Sequence, residues 1–299
     1  MKKLTDNVTI MKSWKPLVAV AAWGLSFIAT KNVLHQISPL TLVFLRQVLG
    51  ASFLFIFVFQ KKMNLAIQVR THTWVVILAI ISTIHLGVQV TGLQWTSASN
   101  SGWIIGTSPV FLTILAFLFL KEKISFLQIT GIITAFFGLL LLVSKGNFTS
   151  LSIVQNKGDL FIIISAFTWA VYSLVNKKAI VQYPPLMVTL YLFIFVAIIL
   201  SPFVLNQENI SAVIHLSTEN WLYLAFLGIV CSGIATVLWA QALGEMPASQ
   251  VGVFLYIQPF FTLLGSWLFL DEHITIFTIF SGLLILMGVM LVNKKQSKN

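Results

Sequence analysis

Charge is the first thing this chain has little of. Asp, Glu, Lys and Arg together make up 9% of its 299 residues, against 58% hydrophobic residues and a mean hydropathy of +0.95. No water-soluble fold has that composition. Cysteine is nearly absent as well. Cys231 stands alone inside an apolar run, which excludes a disulfide framework and a thiolate metal site. The formal charge of +10 forms no basic stripe, because Lys and Arg sit singly between apolar runs, and this argues against a nucleic-acid partner. Of the charged residues, carboxylates are the scarcer, 8 against 18 Lys and Arg. The eight present, Asp6, Glu122, Asp159, Glu208, Glu219, Glu245, Asp271 and Glu272, fall in tails, loops or helix ends. No acid is left in mid-span to bind a lipophilic cation and a proton in turn, as a small multidrug efflux protein would need.

What the chain does have is apolar runs about as long as a helix that crosses the hydrocarbon core. They predict an all-α integral membrane protein of ten transmembrane helices, near 15–34, 40–60, 74–95, 98–119, 126–143, 158–177, 186–205, 219–242, 248–269 and 275–293. Lys2, Lys3, Lys12 and Lys15 precede the first run, which reads as a retained helix rather than a cleaved leader. Linkers as short as Thr96 to Ser97 make consecutive helices antiparallel neighbours. With the amino terminus inside, only Lys145 and Lys157 among the loop and tail cations fall outside, so the positive-inside rule puts both termini in the cytoplasm.

The chain also resembles itself. A shift of 150 carries Ala98-Ser99 onto Ala248-Ser249, Pro109 onto Pro259, Glu122 onto Glu272 and Gly138 onto Gly288. A shift of 146 carries Trp23 onto Trp169 and Lys31 onto Lys177, and one of 147 carries Trp74 onto Trp221. Five is an odd number of crossings, so the second copy enters the membrane from the opposite side. The inside loop Lys121-Glu122-Lys123 accordingly corresponds to an outside loop, Asp271-Glu272-His273, that has lost both lysines. This predicts two inverted five-helix repeats, 1–145 and 158–295, joined by an outside linker, 146–157.

Trp23-Gly24-Leu25-Ser26-Phe27 in helix one, Phe44-Leu45-Arg46 in helix two, and the duplicated small-residue start, proline and Leu-x-Glu ending of helices four and nine resemble the EamA-type carriers of the drug/metabolite transporter superfamily. The resemblance spans nearly the whole chain. It implies a bacterial inner-membrane carrier of small metabolites, commonly amino acids and often outward, with a central cavity lined by both repeats. Export of amphipathic toxic compounds and a membrane-embedded enzyme are the alternatives. The second has no converging nucleophile, base or metal cluster to support it.

The substrate-binding candidates are polar or aromatic residues inside spans. Arg46 either faces a wet cavity or snorkels outward, since about six residues of helix is only roughly 9 Å of rise. Lys31, nearer its helix end, is the better snorkelling case. His85, with Gln89 one turn on, would bind solute, handle protons or glue helices. Asn100 and Asn176 offer uncharged hydrogen-bonding groups, and Ser26 joins Trp23 in helix one. Trp23, Trp169, Tyr172, Trp239 and Tyr256 pair an apolar face with one polar handle, suited either to an organic solute or to helix packing. Pro109 and Pro259 are candidate gating points because each removes a backbone hydrogen bond. The implied partners are a small-molecule solute and the lipid bilayer, with monomer and homodimer both open. No catalytic group, metal or cofactor is expected.

Overall fold

The computed structural model describes residues 2–63, 69–144, 156–181, 183–270 and 276–293. The predicted linker 146–157, up to residue 155, and the loop Asp271-Glu272-His273 lie outside the described residues. All the regular structure described is helical: α1 Lys2–Val33, α2 Pro39–Gln60, α3 Val69–Leu93, α4 Ala98–Ile105, α5 Ser108–Leu120, α6 Phe126–Ser144 and α7 Lys157–Ala179. There follow α8 Pro185–Val204, α9 Gln207–Ile214, α10 Thr218–Ala225, α11 Ala235–Glu245, α12 Ala248–Gly252, α13 Gln258–Leu270 and α14 Ile276–Asn293. A π-helical stretch, Phe226–Ile234, joins α10 to α11, and a 3-10 stretch, Val253–Ile257, joins α12 to α13.

Helix starts follow local chemistry. Ser38, Ser97, Asn206 and Ser217 each accept a backbone N–H of the first turn through the side chain, and Asn156 and Asp159 form a reciprocal capping box. Among the described residues, eight segments are long and apolar enough to cross a membrane. Phe126–Leu141 and Ile279–Asn293 are shorter apolar helices. α9 lies between the expected helices 186–205 and 219–242.

Three of the expected helices are not continuous. Pro109 has no N–H for the carbonyl of Ile105, and the chain tightens there: Gly106 donates to Trp103 and Thr107 to Ile104, each at 3.0 Å. α4 therefore ends and α5 begins afresh. Pro259 stands in the same relation to Leu255, at the end of the 3-10 stretch. The third break is the π-helical stretch.

α3 packs on α7, α2 on α8, and α1 on α11 and α13, while α6 runs along α14. Gly131 and Gly288 bring α6 and α14 almost backbone to backbone. A Cβ on Gly131 would lie 2.7 Å from the Gly288 carbonyl, and one on Gly288 2.5 Å from that of Gly131. Helix ends gather in two groups. At one, Lys15, where the apolar span Trp14–Val33 of α1 begins, pairs with Glu245 at the end of α11. At the other, Lys31 at the end of α1 donates to the carbonyls of Leu93 (2.6 Å) and Thr96 (2.8 Å) after α3. Large apolar side chains such as Phe59, Phe119 and Phe137 point outward, as they should where lipid is the solvent.

Candidate functional site

Between these helices, near the middle of their length, lies a cavity. The space free of atoms is about 630 Å³, counting its open side, but only about 60 Å³ can be reached by the centre of a water-sized group. The void is therefore narrow. α3 supplies Ser82, His85, Leu86 and Gln89 to its wall, one helical stripe. α2 supplies Arg46 and Gln47, α1 Trp23 and Ser26, and α7 Trp169 and Tyr172.

Arg46 is 6% exposed and donates from Nε to Ser232 Oγ at 3.0 Å. Among the described residues no carboxylate lies within ion-pair distance of it. Ser232 arrives from the π-helical stretch, where the Cys231 carbonyl also accepts from Trp23 Nε1 at 2.9 Å. Gly228 permits this approach. A Cβ there would lie 2.5 Å from Leu49 Cβ and 3.2 Å from the Arg46 carbonyl.

His85, 3% exposed, holds Ser165 O at 3.0 Å and Thr168 Oγ1 at 3.3 Å through Nδ1. A carbonyl can only accept, so Nδ1 carries the proton and the neutral ring leaves Nε2 as an acceptor. Trp169 packs edge-on to Trp23 at 4.8 Å and stacked on Tyr172 at 4.9 Å, with the His85 ring at 5.1 Å. Two wall atoms are buried without a hydrogen-bond partner, the donor Trp169 Nε1 and the acceptor Gln47 Oε1. Such orphans are rare in folded chains and mark where a ligand or water is held.

Of the predicted site residues, Trp23, Ser26, Arg46, His85, Gln89, Trp169 and Tyr172 come together here. The others do not line the cavity. Trp239 sits behind the aromatic wall, its Nε1 on Ser173 Oγ at 3.3 Å. Asn176 holds the Tyr172 hydroxyl at 3.3 Å, and Tyr256 is wholly buried. Asn100 binds Asp159 at 2.6 Å, together with Thr96, at the Lys31 end of the bundle. Pro109 and Pro259 follow the breaks whose neighbours Ile105 and Leu255 do reach the wall. Gln47, Ser82, Ser232 and Thr236 are lining residues that sequence reasoning missed. Ser82 stands one turn before His85 and was within reach of a periodicity search. Ser232 and Thr236 depended on a π-helix that no pattern announces.

At the opposite end from Lys31, Glu122 joins three helices. Its carboxylate accepts from the backbone N–H of Ala248 (2.7 Å) and Ser249 (3.1 Å), from Ser249 Oγ (2.8 Å) and from Lys177 Nζ (3.1 Å). Burial works to raise this carboxyl, but those two backbone donors, the Lys177 charge and the Ser249 hydroxyl outweigh it and hold Glu122 below the usual carboxylate range. Among the described residues, no group of three or more His, Cys, Asp or Glu could hold a metal ion.

A family model, that of the EamA-like transporter family, matches the chain over residues 15–144 and again over 156–294. The chain belongs to the EamA-like transporter family. An uncharacterized transporter of Archaeoglobus fulgidus is 31% identical to this EamA-like protein over 277 residues, covering 92% of this chain and 94% of its own. YoaV of Bacillus subtilis, another uncharacterized transporter, is 26% identical, with 89% and 91% covered. A probable amino-acid metabolite efflux pump of Escherichia coli is 25% identical, covering 91% of each chain. A solved crystal structure matches with a TM-score of 0.75 at 15% identity, over 94% of this chain and 98% of that one, a likeness of fold alone. Family and relatives mark the EamA-like protein as a multi-pass membrane transporter rather than an enzyme.

Proposed function

We propose that this EamA-like protein is an exporter or exchanger of small amino-acid-like metabolites, working by alternating access around the central cavity. Arg46 carries the reading. An unpaired guanidinium is costly among apolar helices and demands an anion, and a carboxylate is the small organic group its fork fits. Trp169 Nε1 offers that group a further donor. Gln47 Oε1 and the faces of Trp23 and Trp169 suit an ammonium and an apolar side chain. The name of the Escherichia coli relative supports the same solute class.

The frame of the proposal is a ten-helix bundle of two inverted halves, 1–145 and 158–295, with both termini on the cytoplasmic side of a bacterial inner membrane. α6 and α14, with 19 and 18 residues, are about 27–28 Å long, close to the hydrocarbon thickness. Three observations support the repeat. The family model matches twice. Exchanging the halves turns the contact α3 with α7 into α1 with α11, and α5 with α7 into α13 with α1, all of which occur. The cavity wall is itself paired: Trp23 with Trp169, Arg46 with Leu192 and Gln47 with Phe193 at a separation of 146, and Ser82 with Ser232 and Ile105 with Leu255 at 150. In this frame Glu122 ties the inner end and Lys31 the outer, and transport parts one tie while the other holds.

The test is counterflow of labelled L-alanine, L-threonine, L-phenylalanine and L-glutamate into liposomes holding the purified protein. Saturable exchange of at least one is expected, and Arg46→Ala abolishes it while the protein still inserts. Undiminished exchange by that variant would remove the carboxylate anchor.

A further inference from the structure

His85 is used by nothing so far described. The charged or titratable groups near it are few. α2 brings Arg46 and α7 brings Tyr172, while Cys231 of the π-helical stretch neighbours Arg46 and does not line the cavity. α8 lines the cavity with Leu192 and Phe193, and its one titratable side chain, Tyr191, is not in the wall. The two lysines in the apolar span Trp14–Val33 of α1 are occupied at its two ends, Lys15 with Glu245 and Lys31 with carbonyls. Among the described residues, His85 therefore shares its void with one fixed cation and with no carboxylate.

Resting on the reading of Arg46 as a carboxylate anchor, we propose that His85 is the proton-coupling residue of this carrier, taking up one proton with each solute carboxylate. The tautomer prepares it. Nδ1–H is committed to Ser165 O, so an incoming proton goes to Nε2, for which no partner exists among the described residues. In the empty cavity that proton would set an imidazolium beside an uncompensated guanidinium, and two cations in one low-dielectric void repel. A carboxylate held by Arg46 cancels that repulsion and gives Nε2–H an acceptor. Proton and carboxylate thus bind together or not at all. When the cavity opens on the far side the carboxylate leaves, the repulsion returns and the proton leaves with it. The empty carrier returns unprotonated, so protons do not leak.

The experiment uses the wild-type protein in liposomes with a trapped pH indicator, given whichever of the four labelled amino acids exchanges in counterflow. Net inward flux is expected to acidify the lumen by one proton per molecule, and flux through His85→Gln to cause no acidification. Counterflow with a silent indicator in wild type overturns this proposal and leaves the carrier reading standing. Acidifying flux through His85→Gln overturns it as well. Absent counterflow overturns both. Should His85→Gln transport nothing, nitrogen-15 spectra of histidine-labelled wild-type protein decide. The resonance missing from the variant must change from the Nδ1–H tautomer to imidazolium on adding the amino acid, and an unchanged resonance overturns the proposal.

Discussion

A buried indole N–H with no partner costs the folded protein something, and at Trp169 that cost sits in the cavity wall. Trp169→Phe keeps the stacking on Tyr172 and removes only the donor. If that donor holds the solute, the half-saturation concentration in counterflow rises about tenfold, the worth of one buried hydrogen bond. Unchanged or tighter half-saturation would show the N–H to be idle. At this scale the sequence was legible where chemistry contradicts its surroundings. Arg46, His85 and the mid-span tryptophans stand out against apolar helix, and the structure brings them together. Gln47 did not stand out, because an amide beside an arginine resembles a helix surface until its neighbours are known. Asn100 did, yet it serves the Asp159 cluster at the bundle end, since distance along a helix does not say which neighbour lies opposite.

Among the elements, the five-residue helix α12 owes its start to a side chain far away in sequence. Pro247 gives it no side-chain cap, and Glu122 occupies its first N–H groups instead. Glu122→Gln is expected to lower stability in detergent by about 1.5–3 kcal/mol at neutral pH, the range for hydrogen bonds to a charged group. The folded carboxyl lies below its unfolded value, so its contribution is complete above the unfolded value and is lost as pH falls through the folded one. The gap between wild type and variant, followed by thermal melts, should therefore close as the medium is acidified below the usual carboxylate range. A gap that widens in acid would contradict the assignment. Most helix limits were legible to within a few residues, because apolar runs end where Ser, Asn or Pro begins the next helix. The breaks were only half legible. Pro109 and Pro259 mark two of them, whereas Phe226–Ile234 is about as apolar as the regular helices α5 and α8, and no residue in it marks the π geometry.

For the whole molecule, the internal resemblance was legible because duplicated residues sit where helices touch, and those positions cannot drift freely. Which helices pair was not, since pairing depends on contacts between chain segments more than a hundred residues apart. The proposed alternating access makes one demand on the assembled protein: under it, the Glu122 tie parts in every cycle. With Glu122→Cys and Ser249→Cys bridged by a short bis-methanethiosulfonate, which forms a disulfide with each thiol and releases sulfinate, exchange should stop, and reduction should restore it. Exchange at full rate through the bridged protein would mean that this end never opens.

The lone thiol bears on every such measurement. Cys231 is wholly enclosed, with Sγ against the carbonyl of Ala22 at 3.4 Å. A nitroxide or fluorophore placed at any chosen surface position would report from that position alone, so inter-helix distances during turnover can be followed by spectroscopy in the native background, with no cysteine to remove beforehand.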